Sequence, residues 1–406
     1  MKIIELLRSD DPKYKGHLWF FLGAYFFVLF NYPLVRAAST TMFFDIYGAK
    51  STPLAWLWTV LFLSVSILLL NKFQTKNSVQ KVFLWTSVFS TFLFSISLLG
   101  FFFDIKFLTF FSFIWKEIYI VLQVHLLLAY VNTYFSKEDF KLLVGPIGAV
   151  GSIGGIFGGL LTSYIGKTWG TTSVAFFSLL FVFLPALLFL YTPNIKKVVE
   201  GKPNVSPLAS LNSIDLKRYV FYIAAIVMLS QFVINIADFK FNLSFEQSII
   251  ASSDRTTYLG WIYTWTNFLT FILQFICLPF ILPRVSEKNL HLFIPVSYIL
   301  STLGLLLVSG SLLLPLATFY VYLKAADYSF FSGGKELLYQ PLTAEQKYGA
   351  KYLTDMLVYR VSKALIAAVL IYLQSSFILN MMMIGFLFLW LILVVKIFGI
   401  HRRLFN

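Results

Sequence analysis

Apolar runs of about 20 residues recur from one end of this chain to the other, and few folds can absorb them. Each run is long enough, as a helix, to cross roughly 30 Å of hydrocarbon. They fall near 17–43, 53–71, 81–103, 107–135, 142–166, 172–192, 218–243, 257–281, 291–311, 312–342, 352–374 and 377–399, twelve in all. With 59% hydrophobic and 12% charged residues over 406 positions, the composition excludes a soluble globular protein. The expected fold class is therefore an all-α integral membrane protein with twelve transmembrane helices in two six-helix bundles. The first run is not expected to be a cleaved signal. Asp10 and Asp11 precede it, and its apolar part is too long for a signal core.

The formal net charge of +14 suggests nucleic acid at first, but its distribution argues otherwise. With the amino terminus placed inside, inner loops and tails hold 21 Lys and Arg residues, from Lys2 and Arg8 to Arg402 and Arg403. The outer loops hold four: Lys50, Lys106, Lys167 and Arg255. With a bacterial inner membrane as the expected location, such a bias places both termini in the cytoplasm. It also makes the excess charge a topology signal, with no nucleic-acid partner. Cys277 is the single cysteine, so no internal disulfide forms and no metal-ligand spacing exists.

Residues 193–217 form the longest polar stretch and read as a cytoplasmic linker between an amino-terminal bundle, 1–192, and a carboxy-terminal bundle, 218–406. The halves echo one another. Lys116-Glu117 in the fourth span matches Lys335-Glu336 in the tenth, and Ser136–Lys141 matches Thr343–Lys347 just beyond. Offsets of about 207 to 219 residues fit a duplicated six-helix unit, the build of the major facilitator superfamily. The loop signature usual between its second and third spans is absent here.

Charges inside spans carry the functional argument, because each costs roughly 2.5–3.5 kcal/mol at the bilayer centre even on the most lenient scale. Twelve occur: Arg36, Lys116, Glu117, Asp238, Lys240, Lys324, Asp327, Lys335, Glu336, Asp355, Arg360 and Lys363. Asp355 and Lys363 read equally well as residues bordering the cytoplasm. Arg36, Glu117, Asp238 and Lys335 fall in spans one, four, seven and ten, which in this architecture line the central cavity. The bland alternative is that such charges only pair to hold the halves together. Lys335 follows Lys324 by eleven positions, which on an ideal helix returns it to nearly the same face. Seven bases against five acids favour an anionic substrate.

Other features read as structure. The glycines of 145–159 lack the Gly-Lys-Ser/Thr ending of a phosphate loop, and their four-residue spacings suit close helix packing. His125 reads as a buried neutral histidine ahead of a proton relay. No nucleophile–base pair or metal cluster stands out, so neither an enzyme nor a cofactor is expected.

The residues now assembled resemble the nucleotide transporter family of plastids and obligate intracellular bacteria, the ATP/ADP translocases. The most specific match is Tyr328-Ser-Phe-Phe followed by Lys335-Glu-Leu-Leu-Tyr-Gln-Pro-Leu, Glu345 and Lys347. Pro33-Leu-Val-Arg36, Gly48-Ala-Lys-Ser-Thr-Pro-Leu, Lys116-Glu117 and Asn235-Ile-Ala-Asp238 are similar to further sites of that family. The resemblance implies a nucleotide exchanger in which two basic and two acidic residues are essential. On this sequence they are Arg36, Glu117, Asp238 and Lys335. The chain departs by having Arg at position 36 for the usual Lys, Asp at 238 for Glu, and Ala37 for an Asp.

The expected protein is thus a monomeric secondary transporter of a nucleotide-like anion, with Glu117 and Asp238 pairing with the bases Arg36 and Lys335 when empty. Lys116, Lys240, Lys324, Asp327, Glu336 and Arg360 complete the substrate-binding set. The alternatives are a proton-coupled carrier of another organic or lipid-derived anion and a non-transporting membrane receptor or scaffold.

Overall fold

The computed structural model describes residues 17–135, 137–194, 213–307 and 312–405. The lysines and arginine of 1–16, most of the linker and the end of the ninth run lie outside them. All regular structure among the described residues is helical. The helices are α1 (His17–Tyr47), α2 (Thr52–Gln74), α3 (Val79–Phe102), α4 (Lys106–Tyr134), α5 (Lys137–Leu190), α6 (Ile214–Ser248), α7 (Ser252–Ile272), α8 (Glu287–Leu307), α9 (Leu313–Ala326), α10 (Ser332–Tyr339), α11 (Ala344–Lys351), α12 (Tyr359–Tyr372) and α13 (Ser376–Phe405). Their outward surface carries large apolar side chains such as Leu68, Phe92, Phe107, Leu180, Leu300 and Phe377. Water would penalise that surface; lipid does not. A helix suits the bilayer because it satisfies its own backbone where no water is present.

Nine helical segments among the described residues are long and apolar enough to cross a membrane. One of them, Leu142–Leu190, has 49 residues. At 1.5 Å per residue it would measure about 74 Å, too long for one crossing. Gly170 breaks it with φ 83° and ψ 176°, a conformation closed to most side chains. Runs five and six are thus distinguished by a kink and not by a loop. Two expected spans, 312–342 and 352–374, fall outside the nine. They hold the densest charge, and each is interrupted by a π turn, at Asp327–Phe331 and Tyr352–Val358. A third π turn, Leu273–Cys277, follows α7.

The chain divides into two compact units. The first is Met1–Gly48, Leu61–Val199 and Ile249–Phe268; the second is Ala49–Val60, Glu200–Ser248 and Leu269–Asn406. The first part of α2 therefore belongs to the second unit, and most of α7 to the first.

In the first unit, α5 packs by its glycines. A Cβ at Gly154 would come within 2.6 Å of the Phe26 carbonyl oxygen on α1, and one at Gly158 would overlap the Phe30 carbonyl. The neighbouring stripe meets α7: a Cβ at Gly159 would sit 2.8 Å from the Gly260 carbonyl oxygen. The spacing thus serves close helix approach. Aromatic pairs fill the wider gaps, with Phe43 stacked on Phe113 at 4.1 Å and Phe21 on Tyr130 at 5.9 Å.

The second unit packs differently. Buried Trp390 meets Tyr298 and Phe331 edge-on, at 5.9 and 5.3 Å. The Tyr298 hydroxyl donates to the Leu323 carbonyl at 3.2 Å, just before the π turn at Asp327. Thr343 and Gln346 form a reciprocal capping box that starts α11. The polar segment Thr343–Lys347 is accordingly a helix start.

Candidate functional site

In the first unit, Arg36 lies on α1, three residues after the internal Pro33. Its guanidinium carbon sits 4.7 Å from the centroid of the Tyr263 ring and 5.7 Å from that of Tyr32. An arginine over a ring face gains cation–π attraction. On α4, Lys116 is 2% exposed, and its ammonium donates to Glu117 Oε1 at 3.1 Å. That ammonium also lies 3.7 Å above the Phe113 ring. Neighbours in sequence point about 100° apart on a helix, so this contact needs a long, bent lysine stem.

A second polar cluster in this unit was not anticipated. Asp45, near the end of α1, accepts from Arg255 Nη1 at 2.9 Å and from Ser252 Oγ at 2.6 Å, both on α7. Arg255 is only 8% exposed and also donates to the Ile249 carbonyl. Thr256 Oγ1 lies within hydrogen-bond distance of Thr41, at 3.0 Å, and of Thr171, at 2.8 Å. Arg255 had been expected in an outer loop. It is instead a buried member of an ion pair that ties the start of α7 to α1.

In the second unit, Asp238 on α6 is 8% exposed and meets Lys324 on α9 at 3.2 Å. Asn242 donates to Asp238 Oδ1 at 3.0 Å, and the Tyr320 hydroxyl to Oδ2 at 3.4 Å. Tyr320 is held flat against Phe241 at 4.6 Å. Asp327, also 8% exposed, opens the π turn and accepts from Ser230 at 3.1 Å. Beyond the turn, Lys335 on α10 meets Asp355, in the Tyr352–Val358 π turn, at 2.7 Å. The more exposed Glu336 pairs with Lys351 at 2.6 Å.

Lys324 and Lys335 take different ion-pair partners, Asp238 and Asp355, while both lie within electrostatic reach of Asp327 between them. One expectation changes here. Lys335, expected to pair with Glu117 or Asp238, has Asp355 as its partner. Lys240 takes a direction of its own: two residues after Asp238, it is turned about 200° away and reaches Asn380 on α13. Arg360, half-buried on α12, has no ion pair or hydrogen bond among the described residues. Lys363 lies 5.6 Å from the Trp56 ring centroid. Among the described residues, no three His, Cys, Asp or Glu residues gather as metal ligands.

Sequence reasoning missed Asp45, Tyr263, Ser230, Tyr320 and Asn380. Asp45 had the clearest local signal, an acid inside the apolar Phe43-Phe44-Asp45-Ile46. The neutral partners carry none, because only packing reveals them.

No family model matches the chain, and no curated protein sequence matches it. Solved structures do. A point mutant of the nucleoside transporter NupG aligns over 95% of this chain and 100% of its own, with TM-score 0.68 and 14% identity. A POT family transporter in complex with 5-aminolevulinic acid aligns over 95% and 96%, with TM-score 0.66 and 11% identity. A bacterial homologue of the iron transporter ferroportin, in an inward-facing state, aligns over 93% and 98%, with TM-score 0.63 and 12% identity. The chain has the all-helical, major-facilitator-like membrane fold of these proteins.

Proposed function

We propose that the protein is a monomeric secondary transporter working by alternating access, and that it exchanges nucleotides or nucleotide-like anions in the manner of ATP/ADP antiporters. Its two six-span halves are joined by the polar linker 193–217, and both termini face the cytoplasm of a bacterial inner membrane. The fold supports transport, since NupG, the ferroportin homologue's namesake and the POT proteins are named as transporters. The carrying observation for an anionic substrate is the pair of helix-bridging contacts Lys324–Asp238 and Lys335–Asp355, with Arg360 unpaired among the described residues beside them in the chain.

A phosphate group competes with a carboxylate for the same ammonium. Substrate binding at Lys324 and Lys335 therefore loosens contacts that hold α6 to α9 and α10 to the segment before α12. That gives the ligand a differential effect on two conformations, which is what a ligand-driven change requires. Arg36 grips phosphate oxygens through its fork, with Tyr32 and Tyr263 fixing its plane. When the site empties, the pairs re-form and slow the return of the unloaded carrier, the property an exchanger needs.

The test is counterflow in proteoliposomes with mono-, di- and triphosphate nucleosides. Exchange is expected for at least one nucleotide and is expected to fail in Arg36→Ala and Lys335→Ala proteins that insert normally. Exchange of another anion, with none of any nucleotide, overturns the substrate assignment. The proton-coupled reading is favoured by one observation, the buried carboxyl of Asp327, which accepts from Ser230 and lies within electrostatic reach of Lys324 and Lys335. It predicts uptake abolished by a proton uncoupler and indifferent to internal counter-substrate. Absence of any flux would leave the receptor reading standing.

A further inference from the structure

We propose that the second unit carries an anion-binding pocket, distinct from the charge pairs above, in which Lys240 binds a phosphate or carboxylate group. Lys240 is 4% exposed, and Asn380 is its hydrogen-bond partner. The acids that flank it on α6 are engaged elsewhere. Asp238 is held by Lys324, Asn242 and Tyr320, and Glu246 accepts the backbone N–H of Ala49 at 2.9 Å. A buried ammonium whose neighbour is a neutral amide keeps donors to spare, and a buried charge is tolerated only when something compensates it.

Lys240 opens onto a cavity of about 160 Å³ whose polar lining is completed by Ser244, Gln247, Gln374 and Ser376. At about 30 Å³ of liquid per water molecule, the space suits a small hydrated anion or one phosphate group. Among the described residues of that lining, Lys240 is the single ionisable one. Ser376 is the first residue of the 30-residue α13, so the positive end of a long helix dipole borders the same space. Exposed Gln247 and Ser376 form its mouth. Lys240 lies eight residues before the end of α6, about 12 Å below that mouth along the helix. With cytoplasmic termini, the mouth faces outward. A soluble oxyanion and a phospholipid headgroup offer the same chemistry there, and the experiment separates them.

The full-length protein in non-ionic detergent is melted while sodium phosphate is titrated at constant ionic strength. In parallel it is melted in nanodiscs of phosphatidylcholine with and without phosphatidylglycerol. Wild type and Lys106→Met, which alters an exposed lysine outside every proposed site, are expected to show the same saturable rise in melting temperature with one of these ligands. Lys240→Met is expected to bind that ligand roughly tenfold or more weakly, the usual scale for losing a hydrogen bond to a charged group. Ser376→Trp, which plugs the mouth from an exposed position, is expected to do the same and serves as the deciding variant if Lys240→Met fails to fold. A response to phosphate identifies a soluble anion as the occupant; a response to phosphatidylglycerol alone identifies a lipid. No response in wild type to either ligand overturns the proposal. So does a response that survives both substitutions, or one that vanishes in Lys106→Met. Loss of nucleotide counterflow would bear on the transport reading and leave this result unaffected.

Discussion

The dipeptide Lys-Glu occurs in both units, at 116–117 and at 335–336, and the two units use it differently. In the first, Lys116 bends onto its own neighbour and sits over Phe113, both on α4. In the second, the neighbours part company: Lys335 bridges to Asp355 and Glu336 to Lys351, each across a break in the helix. All three π turns among the described residues lie in the second unit, and two of them carry a paired or hydrogen-bonded acid, Asp327 and Asp355. The first unit relies mainly on glycine contacts and aromatic faces, with the Arg255–Asp45 pair joining α7 to α1, whereas the second has, among the described residues, three ion pairs that bridge separate segments, Lys324–Asp238, Lys335–Asp355 and Lys351–Glu336. A charged ligand can therefore act on the helix contacts of the second unit more directly than on those of the first.

The largest test of that contrast is Lys324→Met. It takes the Lys324 ammonium away from buried Asp238, and removing one member of a buried pair costs about 3–5 kcal/mol. Denaturation of the purified protein should show that loss, with most of it regained in Lys324→Met/Asp238→Leu. Lys116→Met should cost clearly less, because Glu117 retains 21% exposure; an equal cost in both units would erase the contrast. Next comes Lys335→Ala, read by exchange in proteoliposomes. Loss of a charged hydrogen bond to phosphate, about 1.5–3 kcal/mol, predicts a fall of roughly ten- to a hundredfold. Unimpaired exchange by a correctly inserted variant would remove the centre of the functional reading. Gly158→Leu probes the glycine-packed unit and should cost about 1–3 kcal/mol by overpacking, seen as a lower melting temperature. The smallest effect is expected from Glu336→Gln. Its pair with Lys351 is half-exposed, so a change of at most about 1 kcal/mol in the same melt is anticipated.

Much of the scaffold could be read from the chain because its cause is local. An apolar run must be a helix in lipid, so expected spans 53–71, 81–103 and 107–135 correspond to Thr52–Gln74, Val79–Phe102 and Lys106–Tyr134. The glycines of 145–159 were equally legible, since a four-residue repeat marks one helix face. The pairs were not, because Asp238 and Lys324 are brought together by folding and not by spacing. Counting eleven residues from Lys324 to Lys335 assumed an unbroken α-helix, and the π turn at Asp327–Phe331 interrupts it. Arg255 misled for another reason. A charge at the edge of an apolar run looks like a loop residue until Asp45 and Ser252 are seen around it.

The contact of Gly154 and Gly158 with the Phe26 and Phe30 carbonyls also has a mechanical meaning. Two helices joined backbone to backbone have little compressible side chain between them, so they bend and tilt as one beam. Arg36 stands six residues beyond Phe30, about 9 Å further along that beam. Any tilt of α5 is delivered to its guanidinium as a displacement, with the glycine contact as the fulcrum.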